Sequence, residues 1–461
     1  MLESKKRWLV EMKNDKAFFK LLFAIAIPIV IQNLISSSLN MIDTLMIGSV
    51  GQNEIAAVGL ANQLFMVIML GLTGICAGTG MFISQYWGKK DLVSIKRMLG
   101  LAIIVGIGYT AIITILVQIF PVEIIGFFNK EPMILELGAS YLSIVSLSYV
   151  FTAITFAYSY ALRSIGQTKI PMVVSGIAVL INIVGNTLFI FGVGPFPKMG
   201  VAGAALATLL ARFVEAAAIV VLVYAKNTPL KAKLKELLNI PKELIQKATA
   251  PILAIMGNEL CWGFGTIIYT MAYGRIGSEA VASIQIVNTV TNFFLVVVFA
   301  MAASSLTIVG NAIGEGNIDK AKLYAKRIIV IALGIGVIIS LGIATLSPFI
   351  VKMFNISEQV STTTIHILLI NSVILLPKII AIMMIVGIFR GGGDTKHSLL
   401  LEGGTMWGIG VPLSLIGVFV LNLRLEFVVA MLMVEEFTKA ALCMRRFKSG
   451  KWIHNVMEEK K

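Results

Sequence analysis

Apolar residues are arranged along this chain in long runs separated by short polar stretches. A helix that rises 1.5 Å per residue needs about 20 residues to cross the hydrocarbon core of a bilayer. Twelve runs of about this length or longer lie at 18–41, 55–83, 98–120, 136–161, 170–192, 201–225, 248–272, 281–312, 328–347, 362–389, 398–420 and 425–443. The pattern predicts an all-α integral membrane protein with twelve transmembrane helices, numbered below as spans 1 to 12.

A polar stripe interrupts the apolar surface of span 1. It consists of four residues at steps of three, four and three: Asn33, Ser36, Asn40 and Asp43. At this spacing they share one face of a helix, so the first three are candidates to line a cavity. A carboxylate near the middle of a bilayer costs about 2.5–3.5 kcal/mol, which makes Asp43 a candidate for an ion or substrate pathway. The alternative is that Asp43 caps the helix end before Gly48.

The composition also favours a membrane protein. Hydrophobic residues make up 57% of the chain and charged residues 13%, whereas soluble domains carry about 25% charged residues. The basic start of the chain, followed by an apolar run, resembles a secretory signal. However, that run is long, contains Pro28 and lacks a clear small-residue cleavage site, so we expect it to remain as span 1.

The basic residues alternate by side once the spans are laid out. Of the 38 Lys and Arg residues, 30 fall on the terminal segments and loops of one side and only 5 on the opposite loops. The positive-inside rule then places both termini in the cytoplasm, in a protein of the inner (plasma) membrane. A nucleic-acid partner is not expected despite the net charge of +14, because the charge does not form one basic patch.

The second half of the chain repeats the first. MIGSVGQNEIAAVGLANQ from Met46 aligns without gaps with AYGRIGSEAVASIQIVNT from Ala272, and LRSIGQTK from Leu162 aligns with FRGGGDTK from Phe389. Six spans are thus duplicated. Since six crossings are an even number, the halves have the same orientation, which predicts two six-helix lobes related by a pseudo-two-fold axis along the membrane normal. Parallel repeats of this kind are typical of transporters that work by alternating access.

The repeat also predicts the domain boundaries. We expect an amino-terminal lobe at 1–225, a cytoplasmic linker at 226–247 and a carboxy-terminal lobe at 248–461 that ends in a basic tail. The linker segment is rich in Lys and contains two prolines. Arg163 and Arg390 occupy equivalent positions in the two halves, and both can be explained as anchors of helix ends at the lipid headgroups.

Motifs for enzymatic chemistry are not found. The chain contains no HExxH, no GxSxG and no Cys/His constellation, so we predict no catalytic residue and no enzyme. The three cysteines are scattered over predicted spans, which indicates neither a disulfide framework nor a metal site. We expect no cofactor, and no metal beyond a possible sodium ion at Asp43.

The combination of motifs resembles the multidrug and toxic compound extrusion (MATE) family over nearly the whole chain. It consists of Asp43 and Thr44, Gly48 and Gly51 followed by IAAVGLANQ, the Gln85–Gly88 segment, and the LRSIGQTK and FRGGGDTK pair. The resemblance implies twelve helices in two lobes. It also implies an antiporter that exports small amphipathic, often cationic compounds against a gradient of sodium ions or protons. We expect such a protein to act as a monomer in the lipid bilayer.

The resemblance further implies a cation site in the amino-terminal lobe. In bacterial members it is formed by an acid on helix 1, two polar residues one turn apart on helix 5 and a threonine on helix 6. These positions read Asp43, Asn182, Asn186 and Thr208 here. Independently, residues at i and i+4 face one direction, and carboxylate, amide and hydroxyl oxygens are ligands that hard cations prefer. The alternative for the asparagines is interhelical hydrogen bonding, but the absence of the cluster from the second half favours function.

Glu259 on span 7 is the candidate in the carboxy-terminal lobe. It resembles the carboxylate that one branch of the family carries on helix 7, and Thr266 and Thr270 share its helical face as cavity-lining candidates. The distance from Glu259 to Gly277 is about one turn longer than the family pattern, and a polar helix contact is an equal alternative. Arg212 and Glu215, at i and i+3, should pair with each other. The sequence does not choose a role for Glu402, Glu435, Glu436, Lys378 or His366, which also lie within spans.

These observations predict a multidrug exporter that works by cation-coupled alternating access. The nearest alternative is a flippase for a lipid-linked precursor of the same superfamily, which needs several basic residues in its cavity to bind phosphate. Apart from Lys20 at the start of span 1, only 3 basic residues lie within the predicted spans. A channel would show a filter-like or ring-forming motif, and none is present. The sequence does not decide between sodium ions and protons.

Overall fold

The computed structural model describes residues 16–354 and 356–457, with the exception of the Asn40 side chain. The basic residues before Lys16, on which part of the charge argument rests, lie outside this range. The first half of the described chain contains the helices α1 (Lys16–Gly48), α2 (Gln52–Lys89), α3 (Leu92–Ile119), α4 (Pro121–Gly126), α5 (Pro132–Val145), α6 (Ser148–Ser164), α7 (Lys169–Phe191) and α8 (Val201–Ala225).

The rest of the described chain contains eight further helices. They are α9 (Leu234–Leu238), α10 (Lys242–Ile276), α11 (Ser278–Gly314), α12 (Ile318–Lys352), α13 (Glu358–Ile382), α14 (Thr395–Thr405), α15 (Val411–Leu415) and α16 (Leu425–Lys448). Three π-helical segments continue these helices, at Met383–Phe389, Met406–Gly410 and Ile416–Val420. The predicted all-α fold is confirmed for the described residues.

Each of the twelve predicted runs lies in a helix or in a helical pair. Ten helices of the described chain are long and apolar enough to cross a membrane, and α5 and α6 together form an eleventh span that is bent by 48°. The bend falls where Ser146 and Ser148 donate their hydroxyls to the carbonyls of Ser143 and Val145, a contact that competes with regular helix hydrogen bonds. The twelfth run corresponds to α16, whose middle carries three charged residues.

The repeat seen in the sequence recurs in the backbone. Asp91 accepts a hydrogen bond from the Ser94 amide at the start of α3, and Asn317 accepts one from the Lys320 amide at the start of α12, each at 3.0 Å. Gly166 and Gly393 follow the two equivalent arginines and have φ angles of 78° and 81°, a region that glycine adopts without steric cost. Equivalent sequence positions therefore form the same caps and turns in both halves.

The chain divides into two compact units. Of the described residues, the amino-terminal unit comprises 27–83 and 90–256, and the carboxy-terminal unit comprises 16–26, 84–89, 257–354 and 356–457. The predicted linker, 226–247, belongs to the amino-terminal unit, where the Lys96 ammonium lies 2.9 Å from the Glu236 carboxylate. Residues including Leu72, Leu142 and Ala205 form the core of this unit.

The carboxy-terminal unit has its own core and holds the last described segment of the chain. Its core includes Val309, Ile313, Phe389 and Trp452. The segment that follows Trp452 docks through main-chain hydrogen bonds, with the His454 amide donating to the Gly392 carbonyl at 2.7 Å and the Val456 amide to Gln85 Oε1 at 3.0 Å.

A buried carboxylate stabilises this docked segment. Asp394 is 3% exposed and accepts hydrogen bonds from Arg446 Nε and Nη2 at 2.7 and 3.2 Å. His397 Nδ1 and His454 Nε2 lie 3.0 and 3.6 Å from the same carboxylate. Burial alone would raise the pKa of Asp394, but the nearby His454 ring, the hydrogen bonds from Arg446 and the positive charge of Arg446 hold that pKa below its usual value. This cluster connects the loop before α14 to α16 and to the chain end.

Candidate functional site

Three helices of the amino-terminal unit bring the four predicted cation-site residues together. Asn186, on α7, donates from Nδ2 to Asp43 Oδ1 on α1 at 2.5 Å and to Asn182 Oδ1 at 3.0 Å. Asn182 Nδ2 lies 3.3 Å from Thr208 Oγ1 on α8. The four side chains thus form one hydrogen-bonded chain that crosses three helices.

Close packing of α7 on α8 positions the two asparagines. A Cβ atom at Gly185 would lie 2.9 Å from the Ala207 methyl, and one at Gly203 would lie 2.5 Å from the Phe189 carbonyl oxygen. Small residues at these contacts let the two helices approach closely, as is common in membrane bundles. Asn182 and Asn186 are each 1% exposed, so this contact fixes them in the protein interior.

One acceptor atom in this cluster is left without a partner. Asn186 Oδ1 is buried and accepts no hydrogen bond from the described residues. An unmatched buried acceptor costs about 1–3 kcal/mol, which a bound cation would offset. Asn186 is hydrogen-bonded to Asp43. The cluster therefore combines one negative charge with a neutral oxygen atom that can coordinate a cation.

The cluster forms part of the wall of a cavity within the amino-terminal unit. The cavity has a volume of about 340 Å³, at the small end of the range for ligand pockets. Its polar wall includes Asp43, Asn182, Thr208 and Arg212, and its aromatic wall consists of Phe65, Tyr141 and Tyr149. A cavity with aromatic sides and a single acidic patch suits an amphipathic molecule that carries a positive charge.

Arg212 is neutralised by a polar network that leads away from the cavity. Its guanidinium donates to Glu215 Oε2 at 2.7 Å, which confirms the predicted i, i+3 pair. Glu215 Oε1 accepts from Ser175 at 3.1 Å, Ser175 accepts from Gln32 Nε2 at 2.9 Å, and Gln32 Oε1 accepts from Arg163 Nη2 at 2.7 Å. Arg163 therefore contacts Gln32 on α1. Its role as an anchor at the lipid headgroups stays a prediction.

Asn33 and Ser36, two further members of the polar stripe on α1, do not line this cavity. Asn33 is half-buried, and the exposed Ser36 donates its hydroxyl to the Gln32 carbonyl at 3.0 Å. The side chain of Asn40 lies outside the described residues. The part of α1 that does line the cavity consists of Leu39, Asp43, Thr44 and Ile47.

Glu259 makes an ion pair rather than a contact with the threonines of its helix. Arg390 Nη2 lies 2.7 Å from Glu259 Oε1 and 2.6 Å from Asn258 Oδ1, and Arg390 is 2% exposed. Thr266 and Thr270 lie further along α10 and donate their hydroxyls to carbonyls of that helix. The structure does not bring these three candidates together, and it places Arg390 in the interior of the carboxy-terminal unit rather than at headgroups.

Two groups of polar residues were missed by sequence reasoning. The first is the pair of tyrosines, Tyr141 and Tyr149, in the cavity wall, for which the sequence carried no specific signal. The second is an acidic cluster around Lys439 on α16. The sequence shows these charges within spans but not that they meet, because Glu402 and Lys439 lie on different helices.

Comparisons with known proteins cover nearly the whole chain. A family model described as MatE matches residues 28–188 and 254–416. The chain is 27% identical to "Uncharacterized transporter YisQ" of Bacillus subtilis, over 96% of each chain, and 25% identical to "Probable multidrug resistance protein NorM" of Thermotoga maritima, over 94% of this chain and 93% of that one. A crystal structure of MATE in the bent conformation superposes with a TM-score of 0.86 at 21% identity, over 94% of this chain and 96% of that chain.

Proposed function

The chain belongs to the MatE family, a family of membrane transporters, and on that premise we propose that it is a secondary active multidrug exporter. It would carry small amphipathic, often cationic compounds out of the cell in exchange for sodium ions or protons by alternating access. The observation that carries the proposal is the hydrogen-bonded Asp43–Asn186–Asn182–Thr208 cluster in the wall of the 340 Å³ cavity.

The cluster suits a cation that binds and leaves during each cycle. An ionised Asp43 inside an apolar unit is costly, and a sodium ion or a proton on its carboxylate removes that cost. The oxygen of Asn186 that lacks a partner can serve as a further ligand or acceptor. Since the drug cavity and the ion site share Asp43, a cationic drug and the coupling ion compete for the same negative charge.

The alternative flippase function is less well supported by this cavity. Arg212 is the basic residue in its wall, and it already forms an ion pair with Glu215. A site for a lipid-linked phosphate needs unpaired positive charge, which this pair does not provide.

The proposal is tested by transport into inverted membrane vesicles under a sodium gradient alone and then a proton gradient alone. Asp43→Asn is nearly isosteric and removes only the charge, so we expect inserted protein without coupled export. Asp319→Asn, at an exposed position in the first turn of α12, is the matched control and should transport normally. Full export by Asp43→Asn would exclude the site, and the gradient that drives wild-type export identifies the ion.

We further propose that the protein is a monomer of the plasma membrane with both termini in the cytoplasm. Two lobes, 1–225 and 248–461, would be connected by the cytoplasmic segment 226–247. The supporting observation is the excess of Lys and Arg on one set of loops. Protease digestion of the same inverted vesicles should remove tags at both termini, whereas protection of either tag would contradict this topology.

A further inference from the structure

The middle of α16 places three carboxylates around one ammonium group in the carboxy-terminal unit. Lys439 Nζ lies 2.9 Å from Glu402 Oε1, 2.9 Å from Glu435 Oε1 and 3.8 Å from Glu436 Oε2. Lys439 is 4% exposed, so these charges are screened little by water. The ammonium is therefore within hydrogen-bond distance of Glu402 and Glu435, whereas Glu436 lies beyond that distance.

The third carboxylate, Glu436, is the one without a hydrogen bond. Glu435 is satisfied on both oxygens, because Oε2 also accepts from the Tyr269 hydroxyl at 2.6 Å. Glu436 is 8% exposed, and its Oε2 atom, which faces Lys439, is buried and has no hydrogen-bond partner among the described residues. A buried carboxylate oxygen without a donor is unfavourable as an anion and favourable as a protonated carboxyl.

The charges in this region do not balance. The titratable groups that act on the cluster from the surrounding helices are Lys378, Tyr269, Tyr273, Cys261 and Cys443. Two ammonium groups, Lys439 and Lys378, oppose the three carboxylates Glu402, Glu435 and Glu436. One negative charge is left over when all are ionised.

The internal repeat connects this cluster to the amino-terminal site through Tyr269. The alignment that begins at Met46 and Ala272, continued backwards, pairs Asp43 with Tyr269. The Tyr269 hydroxyl donates to Glu435 at 2.6 Å. The second half thus carries a tyrosine at the position of Asp43, and this tyrosine contacts an acid on α16.

We propose that this cluster is a second cation site, specific for a proton, and that Glu436 carries the proton. A hydronium ion transfers its proton to the Glu436 carboxylate, which forms an O–H bond and leaves water, and the charge of the cluster becomes zero. A metal cation would take several oxygen ligands at once, but the oxygens of Glu435 are already engaged by Lys439 and Tyr269. This inference goes beyond the exporter function, because it does not require Asp43.

Infrared difference spectroscopy of the purified protein tests the proposal through the carbonyl stretch of a protonated carboxyl. All proteins carry Asp43→Asn, so that the first site cannot contribute. A step from about pH 8 to about pH 6 leaves exposed carboxylates ionised. We expect a carboxyl band in this background and in the control with Glu426→Gln, a substitution in the first turn of the same helix. We expect the band to be lost in Glu436→Gln and restored at a shifted frequency in Glu436→Asp.

The isotope shift of the carboxyl band tests the proposal if Glu436→Gln does not fold. Labelling the glutamates of the Asp43→Asn protein with carbon-13 at the side-chain carboxyl should shift the band. An unshifted band, no band in this background, or a band that persists in Glu436→Gln would each overturn the proposal. None of these outcomes depends on transport, so they are separate from a failure of the exporter function.

Discussion

At the residue scale, Asn182 and Thr208 connect Asp43 to α8 without adding charge. Each offers one oxygen ligand, and each hydrogen bond that they make is worth about 0.5–1.5 kcal/mol. We therefore expect Asn182→Ala or Thr208→Ala to raise the ion concentration for half-maximal transport by about 2- to 10-fold, with little change in the maximal rate. Transport measured across a series of sodium concentrations and pH values checks this, and an unchanged ion response in both variants would make these residues structural.

At the element scale, the contact between α7 and α8 determines the geometry of the site. Gly185→Ala places a methyl group 2.9 Å from the Ala207 methyl, so one helix must move. We expect a loss of about 1–3 kcal/mol in stability from overpacking, together with a weaker ion response. Gly176→Ala on the same helix is the control, because its methyl would lie 4.0 Å from Ile35, an ordinary contact. Equal effects of the two substitutions on thermal unfolding and ion response would contradict this role.

The elements themselves were largely predictable, because they follow from local periodicity. The twelve apolar runs, the i, i+4 spacing of Asn182 and Asn186 and the i, i+3 pair of Arg212 with Glu215 all describe neighbours along one helix. The contacts of Glu259 were not predictable in this way, because its partner, Arg390, follows a different span and was explained equally well by lipid headgroups. The bend between α5 and α6 was missed because local serine hydrogen bonds leave the apolar pattern unchanged.

At the scale of the whole molecule, acid should weaken the carboxy-terminal unit through Asp394. Its pKa is lower in the folded state than in the unfolded chain, so the stabilisation is complete above the unfolded pKa, about 3.9, and is lost as the pH falls through the folded value. We expect the unfolding temperature to drop over this range, and Asp394→Asn to be less stable at neutral pH with a weaker acid dependence. Loss of the helical circular dichroism signal on heating reports unfolding. An identical pH dependence in wild type and variant would exclude Asp394 as the cause.

The two halves of the chain keep one scaffold and have diverged in the chemistry that it carries. The caps at Asp91 and Asn317 and the turns at Gly166 and Gly393 match, whereas Asp43 aligns with Tyr269 and Asn182 with Ile409. A duplicated gene can acquire a new function in one copy while the other preserves the old one. Here both copies lie in a single polypeptide. The scaffold that they share therefore accommodates two different sets of polar side chains, one in each half.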